Sequence, residues 1–284
     1  MFAATAVVIF LAMRSMVPVE IAGNVPPGTN VSAAESHLQR LNKTRPSISI
    51  DLPRYDQLKD EALAWREKRG YYDVASEHPD YAAYSDERLI SLAAESDRLA
   101  TSLLAQRSRV SAPLKAIEWY LGASIQGSTM ATLAIGEIYE RIATIGGIPT
   151  GAKASQGDLQ LAGVQDAVAM TEALAWAHVT EMRGDPYGSV LRDRLLDSYL
   201  IDAGQRARAC AMAKRHHEVL ELTRSERRLP ALDNSPPPIT EHPFLPGLGC
   251  EDWPFERPVC AEVLVGRTAD SVVKVASAYS CKNL

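Results

Sequence analysis

A short pattern occurs twice in this chain, and it restricts the fold more than any other feature. The first copy runs Ala116-Ile-Glu-Trp119, then Gly127-Ser128, then Ala131; the second runs Ala173-Leu-Ala-Trp176, then Gly184-Asp185, then Gly188. In each, a tryptophan stands three residues after an alanine and eight before a glycine. That glycine is followed at once by Ser or Asp, and three residues later by a small residue. Glycine suits the left-handed position that ends a helix, and Ser or Asp suits the N-cap that starts one. The spacing therefore predicts helix, tight turn and helix, used more than once.

The helical period extends beyond the two copies. Tyr55 to Arg69 carries Leu58, Ala62, Leu63 and Trp65 on one side, and Gly70 follows as a stop. From Asp86, Leu89, Leu92 and Ala93 recur at three and four; Asp97 interrupts, and Ala100, Leu103 and Leu104 resume the stripe. Here Ser96 stands where the other copies have glycine. Leu114–Gln126 with Ser128–Arg141, and Ala167–Arg183 with Asp185 to about Leu200, make the next helix pairs, each with Asp or Ser (Asp97, Ser128, Asp185) as the expected N-cap. A closing helix covers Gln205–Leu222. The tract Gly146–Gly163, with five glycines and little periodicity, reads as a loop inserted between the second and third pairs.

At Lys115-Ala-Ile-Glu-Trp-Tyr, Gln126-Gly-Ser and Leu133-Ala-Ile-Gly136-Glu-Ile-Tyr139-Glu the chain resembles the Sel1-like repeats, relatives of the tetratricopeptide repeat. Glu172-Ala-Leu-Ala-Trp-Ala with Arg183-Gly-Asp-Pro is the second match, and Leu89 to Asp97 with Ala100 and Leu104-Ala is a third. Together they cover about residues 85 to 200. The resemblance implies an all-α fold, a short solenoid of helix pairs whose surface holds another protein or peptide, without catalytic residues or cofactor. Its signature positions are Ala116, Trp119, Gly127, Ala131, Gly136, Tyr139, Ala173, Trp176, Gly184 and Gly188. Two departures stand out: the tryptophans are 57 residues apart, more than one repeat, and the third copy lacks the Leu-Gly-Tyr finish. Physically, a lone helix hairpin cannot bury its apolar stripe, so neighbours must stack. Trp119 and Trp176 are expected to fill the space between layers.

The ends differ from the middle. Phe2 to Met13 is uncharged but short of a membrane span, and Arg14 interrupts it. Residues 1–23 read as a secretory signal or a membrane anchor, although no basic residue precedes the apolar run. Residues 24–54, rich in Pro, Ser, Asn and Thr, read as a flexible linker, with a short helix beginning at Ser32, where Ser32 and Glu35 form a capping box. The helical repeat domain then spans 55–229. Residues 230–258 hold eight of the 17 prolines and cannot form a regular helix or central strand. Residues 230–284 are thus expected to form an irregular, cysteine-bearing arm; within it Val263-Leu-Val265 looks strand-like and Ser271–Tyr279 helical. All four cysteines (Cys210, Cys250, Cys260, Cys281) lie in the last quarter, and none are paired at the spacing of a zinc site. Two disulfides, in any of three pairings, agree with export to the periplasm or beyond, or with tethering to the inner membrane by residues 2–21.

Composition excludes some functions. A net charge of −5 argues against nucleic-acid binding, and the basic run Lys214–Arg228 carries Glu218, Glu221 and Glu226 as a solvated helix face does. Gly146 to Gly151 has phosphate-loop spacing, but Ala152-Lys153-Ala154 follows it. His216 and His217 point about 100° apart on a helix and cannot share one metal ion. Asp193 and Asp197 adjoin Arg192 and Arg194, as on a salt-bridged surface; no Gly-x-Ser-x-Gly elbow occurs, and no cofactor or metal site emerges. Asn30 and Asn42 head glycosylation sequons. Two functions remain: a non-enzymatic envelope adaptor holding a protein or peptide partner, with membrane contact only through the N-terminal segment, or an enzyme or inhibitor acting through the region around Trp253, Phe255 and Arg257. In a third reading the C-terminal region simply caps the helices.

Overall fold

The computed structural model describes residues 47–145, 166–244, 250, 258–268 and 271–282, all within the unit Arg45–Leu284. Strand β1 (Ser47–Asp51) leads directly into α1 (Leu52–Lys68), whose start is fixed by the Asp51 carboxylate accepting from the Arg54 amide. Two single-turn helices, α2 (Val74–Glu77) and α3 (Pro79–Ala82), precede the hairpins α4 (Asp86–Ala94) with α5 (Arg98–Ser108), α6 (Pro113–Ile125) with α7 (Thr129–Ile145), and α8 (Ala167–Met182) with α9 (Tyr187–Ser198). The long α10 (Ala203–Glu226) packs on α8. Strands β2 (Val259–Thr268) and β3 (Ser271–Lys282) end the chain. The fold is mostly helical, with ten helices and three strands among the described residues.

Helix ends follow one scheme. After α1, α4, α6, α8 and α10 the chain turns through a left-handed residue: Gly70, Ser96, Gly127, Gly184 and Arg228. In each, this residue's amide bonds three residues back and the next amide bonds five back, as Gly127 N–H to Ser124 O (3.0 Å) and Ser128 N–H to Ala123 O (3.0 Å). This is the Schellman termination. Ser96 takes the conformation of the glycines it replaces, with φ 69°. Asp97 caps α5 through the Ala100 amide, and the Ser128 hydroxyl accepts from the Ala131 amide. Asp185 keeps a capping bond and adds others. Helix α9 starts after Pro186, yet the Asp185 Oδ1 still accepts from the Tyr187 amide (3.1 Å) as an N-cap does, while its Oδ2 accepts from the Tyr71 and Thr129 hydroxyls.

Three apolar clusters result. The largest gathers Ala116, Ile135, Ile138, Leu174, Trp176, Leu191 and Leu195 from α6 to α9, with Leu220 from α10. A second joins Tyr72, Val74 and Leu89 to Leu103 and Leu104 of α5. Small residues set the helix spacing. A β-carbon on Gly136 would come within 2.8 Å of Leu191, and one on Gly188 within 2.5 Å of the Glu181 backbone nitrogen. The two tryptophans differ: Trp176 is buried and stacked on His216 of α10, whereas Trp119 is half-buried between the two clusters, with the Lys115 ammonium over its ring. Only Trp176 is fully enclosed, because α10 closes over it.

The all-α expectation is corrected by a three-stranded sheet in the order β1-β2-β3. Strand β1 runs parallel to β2 (Ile48 opposite Val263, Ile50 opposite Val265), and β3 is antiparallel to β2. A parallel pair needs a long crossover, and here the whole helical body supplies it. Ile48 and Ile50, alternating with exposed Ser47, Ser49 and Asp51, pack with Leu58, Ile239, Val263, Val265 and Ala278. Residues 47–54, placed in a flexible linker by their polarity, are thus strand and first helical turn. Ser271–Tyr279 is strand, not helix, because pairing with β2 outweighs its local preference. The C-terminal region is accordingly not irregular throughout. The cysteines pair as Cys210–Cys250, tying α10 to the region after it, and Cys260–Cys281, directly across β2 and β3. Two disulfides suit an oxidising, extracytoplasmic environment. No helix among the described residues is long and apolar enough to cross a membrane. The segments read as signal, capping box, sequons and glycine-rich insert, and Trp253, Phe255 and Arg257, lie outside the described residues.

Substitution should expose this packing. Trp176→Ala is expected to cost roughly 3–5 kcal/mol in urea unfolding, and half-buried Trp119→Ala about 1–2 kcal/mol. Gly188→Ala, which meets backbone instead of a flexible side chain, should lower stability by roughly 1–3 kcal/mol or more. Equal losses at both tryptophans would contradict the difference in burial.

Candidate functional site

The Schellman turns ending α1, α6 and α8 lie in one place and form a buried polar hub. The Arg69 carbonyl, at the end of α1, accepts from the Thr129 and Met130 amides (3.0 and 3.2 Å) and from the Ser128 hydroxyl (3.1 Å), so one helix ends on the start of another. Three buried guanidiniums then serve further helix-end carbonyls. Arg69 Nη1 donates to Arg183 O (3.1 Å), Arg183 Nη2 donates to Gly127 O (3.1 Å), and Arg224 Nη1 donates to Ile125 O. Cations belong at the negative ends of helices. Arg69 and Arg183 are each only 1% exposed. Burial draws Arg183 down to about 9, helped by repulsion from Arg69 and Arg224, yet leaves it charged at neutral pH.

Asp185 is the anion of this hub. Its Oδ2 accepts from the Tyr71 hydroxyl (2.7 Å) and the Thr129 hydroxyl (2.6 Å), and its Oδ1 accepts from the Tyr187 amide (3.1 Å). Burial raises its pKa, while these bonds and the charge of Arg69 act in the opposite direction. Tyr71 is pushed well up by burial and by the neighbouring carboxylate. Such shifted groups often mark active sites, but Asp185 has no solvent exposure. A substrate from solution has no approach to it, and its bonds to Tyr71 and Thr129 join separate parts of the scaffold.

Beside the hub the surface opens into a groove of about 190 Å³ between α1, the start of α9 and the proline-rich segment. Tyr55, Ala62, Leu63 and Trp65 come from α1, Pro186 and Tyr187 from α9, and Pro237, Ile239 and Ala278 close the far side. The proline-rich segment is held in place. The Trp65 indole N–H donates to Ser235 O (3.0 Å), Arg69 Nη2 donates to the same oxygen (2.9 Å), and the Lys68 ammonium meets Asp233 (2.9 Å). Thr240 exchanges two backbone hydrogen bonds with Tyr279 of β3. Burial alone would raise the Asp233 pKa; bonds from Ser235 and Lys68, and the charge of Arg69, instead hold it well below the usual carboxylate range. Lys59 and Arg66, seven residues apart on α1, both line the groove, and Glu241 stands on the opposite wall.

The sequence signature locates the scaffold and not the groove. Ala116, Ala131 and Ala173 are buried, Gly127 and Gly184 make left-handed turns, Gly136 and Gly188 permit close packing, and Tyr139 is half-buried. Gly136 meets Ala173 and Trp176 across the α7–α8 contact. Of these positions only the two turn glycines reach the hub. Tyr55, Lys59, Arg66, Tyr187 and Ile239 were missed. The seven-residue spacing of Lys59 and Arg66 on a recognised helix was the available signal. His178 lies near both Cys210 and Cys250, but sulfurs joined to each other are not thiolate ligands. Comparison with known proteins yields no match: no family model, no curated protein and no solved structure aligns with this chain.

The Asp233 contacts carry a pH signature. A carboxylate whose folded pKa is depressed contributes stability above its unfolded value, about 3.9, and loses it as pH falls through the folded value. The stability gap between wild type and Asp233→Asn should be widest at neutral pH and shrink below about pH 4. Because Asp233 is 41% exposed, the gap should be modest and salt-sensitive. Thermal unfolding from pH 6 to 3 measures it, and a constant gap would exclude the ion pairs as its source.

Proposed function

We propose that the chain is a non-enzymatic adaptor of the cell envelope that holds a partner protein, with its helix hairpins acting as Sel1-like repeats stacked into a short solenoid. Support for the repeat reading comes from the turns at Ser96, Gly127 and Gly184, which share one left-handed conformation and one bonding scheme. Stacked hairpins present extended binding surfaces. In this reading the two disulfides belong to the periplasm or to a secreted form, and residues 2–21 act as an export signal or a tether.

One observation carries the adaptor reading. Asp185, whose pKa burial raises, is sealed inside the scaffold, whereas the open groove offers aromatic walls and two cations, Lys59 and Arg66, with no ion pair among the described residues. Aromatic anchors beside unpaired charge are the chemistry of recognition. The interaction belongs on the outer face of α1.

A photo-crosslinking residue tests this in the full, disulfide-bonded chain expressed in its host. Leu63, in the groove, and Leu114, on α6, are equally exposed at 61% and 62%. The expected result is a discrete adduct from position 63 that position 114 does not give. Equal labelling from both positions, or none from either, would remove the groove as a partner site.

A further inference from the structure

The groove already has a ligand of known chemistry along one side: a piece of this chain. The segment Asp233-Asn-Ser-Pro-Pro-Pro238 lies against α1 as proline-rich ligands lie against aromatic receptors, with an indole N–H on a backbone carbonyl and cations on the acidic residue. Trp65 Nε1 and Arg69 Nη2 share the Ser235 carbonyl, while Lys68 and Arg69 share Asp233. Proline-rich segments suit such sites because their extended helix is preformed and its carbonyls are free to accept.

A second set of aromatic rings and cations lines the open groove along the length of α1, from Tyr55 in its first turn to Arg66 in its last. Tyr55 supplies an aromatic face with Lys59 over its ring at 5.6 Å, and Arg66 lies 5.6 Å from the Tyr71 ring. Tyr187 stacks obliquely on Tyr71 at 5.6 Å and continues the aromatic wall. Ala62 and Leu63 form an apolar floor between the cations. Seven residues of α-helix separate Lys59 from Arg66 by about 10.5 Å along the axis. A polyproline helix returns to the same face every third residue, at about 9.3 Å. Carboxylates at positions i and i+3 of such a segment match that separation. Glu241 on the opposite wall restricts the acidity to one face.

We propose that this groove binds a proline-rich segment of a partner protein in the polyproline II conformation, with carboxylates three residues apart directed at Lys59 and Arg66. The inference rests on the adaptor reading and specifies its partner. The bound segment would lie beside the chain's own Pro236–Pro238, on the same helix and through the same kinds of contact.

Fluorescence anisotropy with the full oxidised protein tests it, using labelled Pro-Asp-Pro-Pro-Glu-Pro, its counterpart with lysines for the two acids, and its counterpart with alanines for the prolines. The acidic proline peptide should bind about tenfold more tightly than the lysine peptide, as expected of two partly exposed ion pairs. The alanine peptide should bind more weakly, having lost its preorganisation. Lys59→Glu/Arg66→Glu is expected to abolish the preference for acid and Lys59→Glu alone, at an exposed position, to reduce it, with unfolding measured beside binding because both cations also lie over aromatic rings. Three equal affinities, a preference for the lysine peptide, or no effect of the double variant would overturn the proposal. If those failures accompany an intact crosslink from position 63, the ligand class is wrong and the adaptor reading stands. If the crosslink is also absent, both fall.

Discussion

The structure depends on what becomes of the carbonyl groups where α1, α6 and α8 end. Each helix leaves its last carbonyls without internal partners, and here three such ends lie close together inside the protein. Water cannot serve them. The left-handed turns satisfy some, the amides of Thr129 and Met130 satisfy Arg69 O, and buried guanidiniums satisfy Arg183 O, Gly127 O and Ile125 O. A buried charge normally costs several kcal/mol unless paired and fully bonded. Arg69 and Arg183 are both offset by the helix-end dipoles, Arg69 also by Asp233 and Asp185 and Arg183 by Glu221 and Asp185, although Arg69 Nε and Arg183 Nε and Nη1 make no hydrogen bond among the described residues. Removing either guanidinium would strand carbonyls, and removing Asp185 would strand Tyr71 and Thr129. The hub is thus cooperative: its members are tolerable only together.

Helix α1 links this hub to the rest of the molecule. Its first residue follows directly from β1, Leu58 joins the apolar cluster under the sheet, Trp65 and Lys68 hold the proline-rich segment, and Arg69 enters the hub. Because β1 pairs in parallel with β2, residues near the two ends of the chain must meet before the sheet exists. That contact closes a loop containing every helix hairpin, an entropically slow step. The helices can gain their local contacts first, with β1, β2 and α1 joining them afterwards.

The helices were legible because their signals are local. Apolar stripes at three and four, Asp97 and Ser128 as caps, and glycines at turn positions each act within a few residues. Even Ser96 obeyed the frame set by its neighbours. The sheet was illegible because its signals are not local. Ser47-Ile-Ser-Ile-Asp has the strict alternation of a strand, but its five residues sit in a polar stretch, and its partner lies some two hundred residues away. Val272 to Val275 reads as helix or strand until β2 is alongside. The hub was hidden in the same way: Tyr71, Thr129 and Asp185 are unremarkable residues of three separate turns, made into one site by packing. Asp185 matches Ser128 in position and does accept from an amide of the next helix, at Tyr187, but only packing brings its second oxygen to Tyr71 and Thr129.

Fixing the proline-rich segment also decides what kind of recognition the groove can support. A flexible wall would lose conformational entropy whenever a partner docked, and that loss would be subtracted from affinity. Here the wall is anchored at Ser235 by Trp65 and Arg69, at Asp233 by Lys68, and at Thr240 by the strand edge. The opposite wall, α1, is immobilised through the hub. A partner of the kind proposed would therefore meet a preformed surface, and ordering would fall mainly on the partner itself. A segment already biased toward an extended helix loses least, so the rigidity of the groove and the stiffness of a proline-rich ligand favour the same pairing. The buried charges of the hub, which cannot touch a ligand, would in the proposed complex act on recognition by holding α1 still.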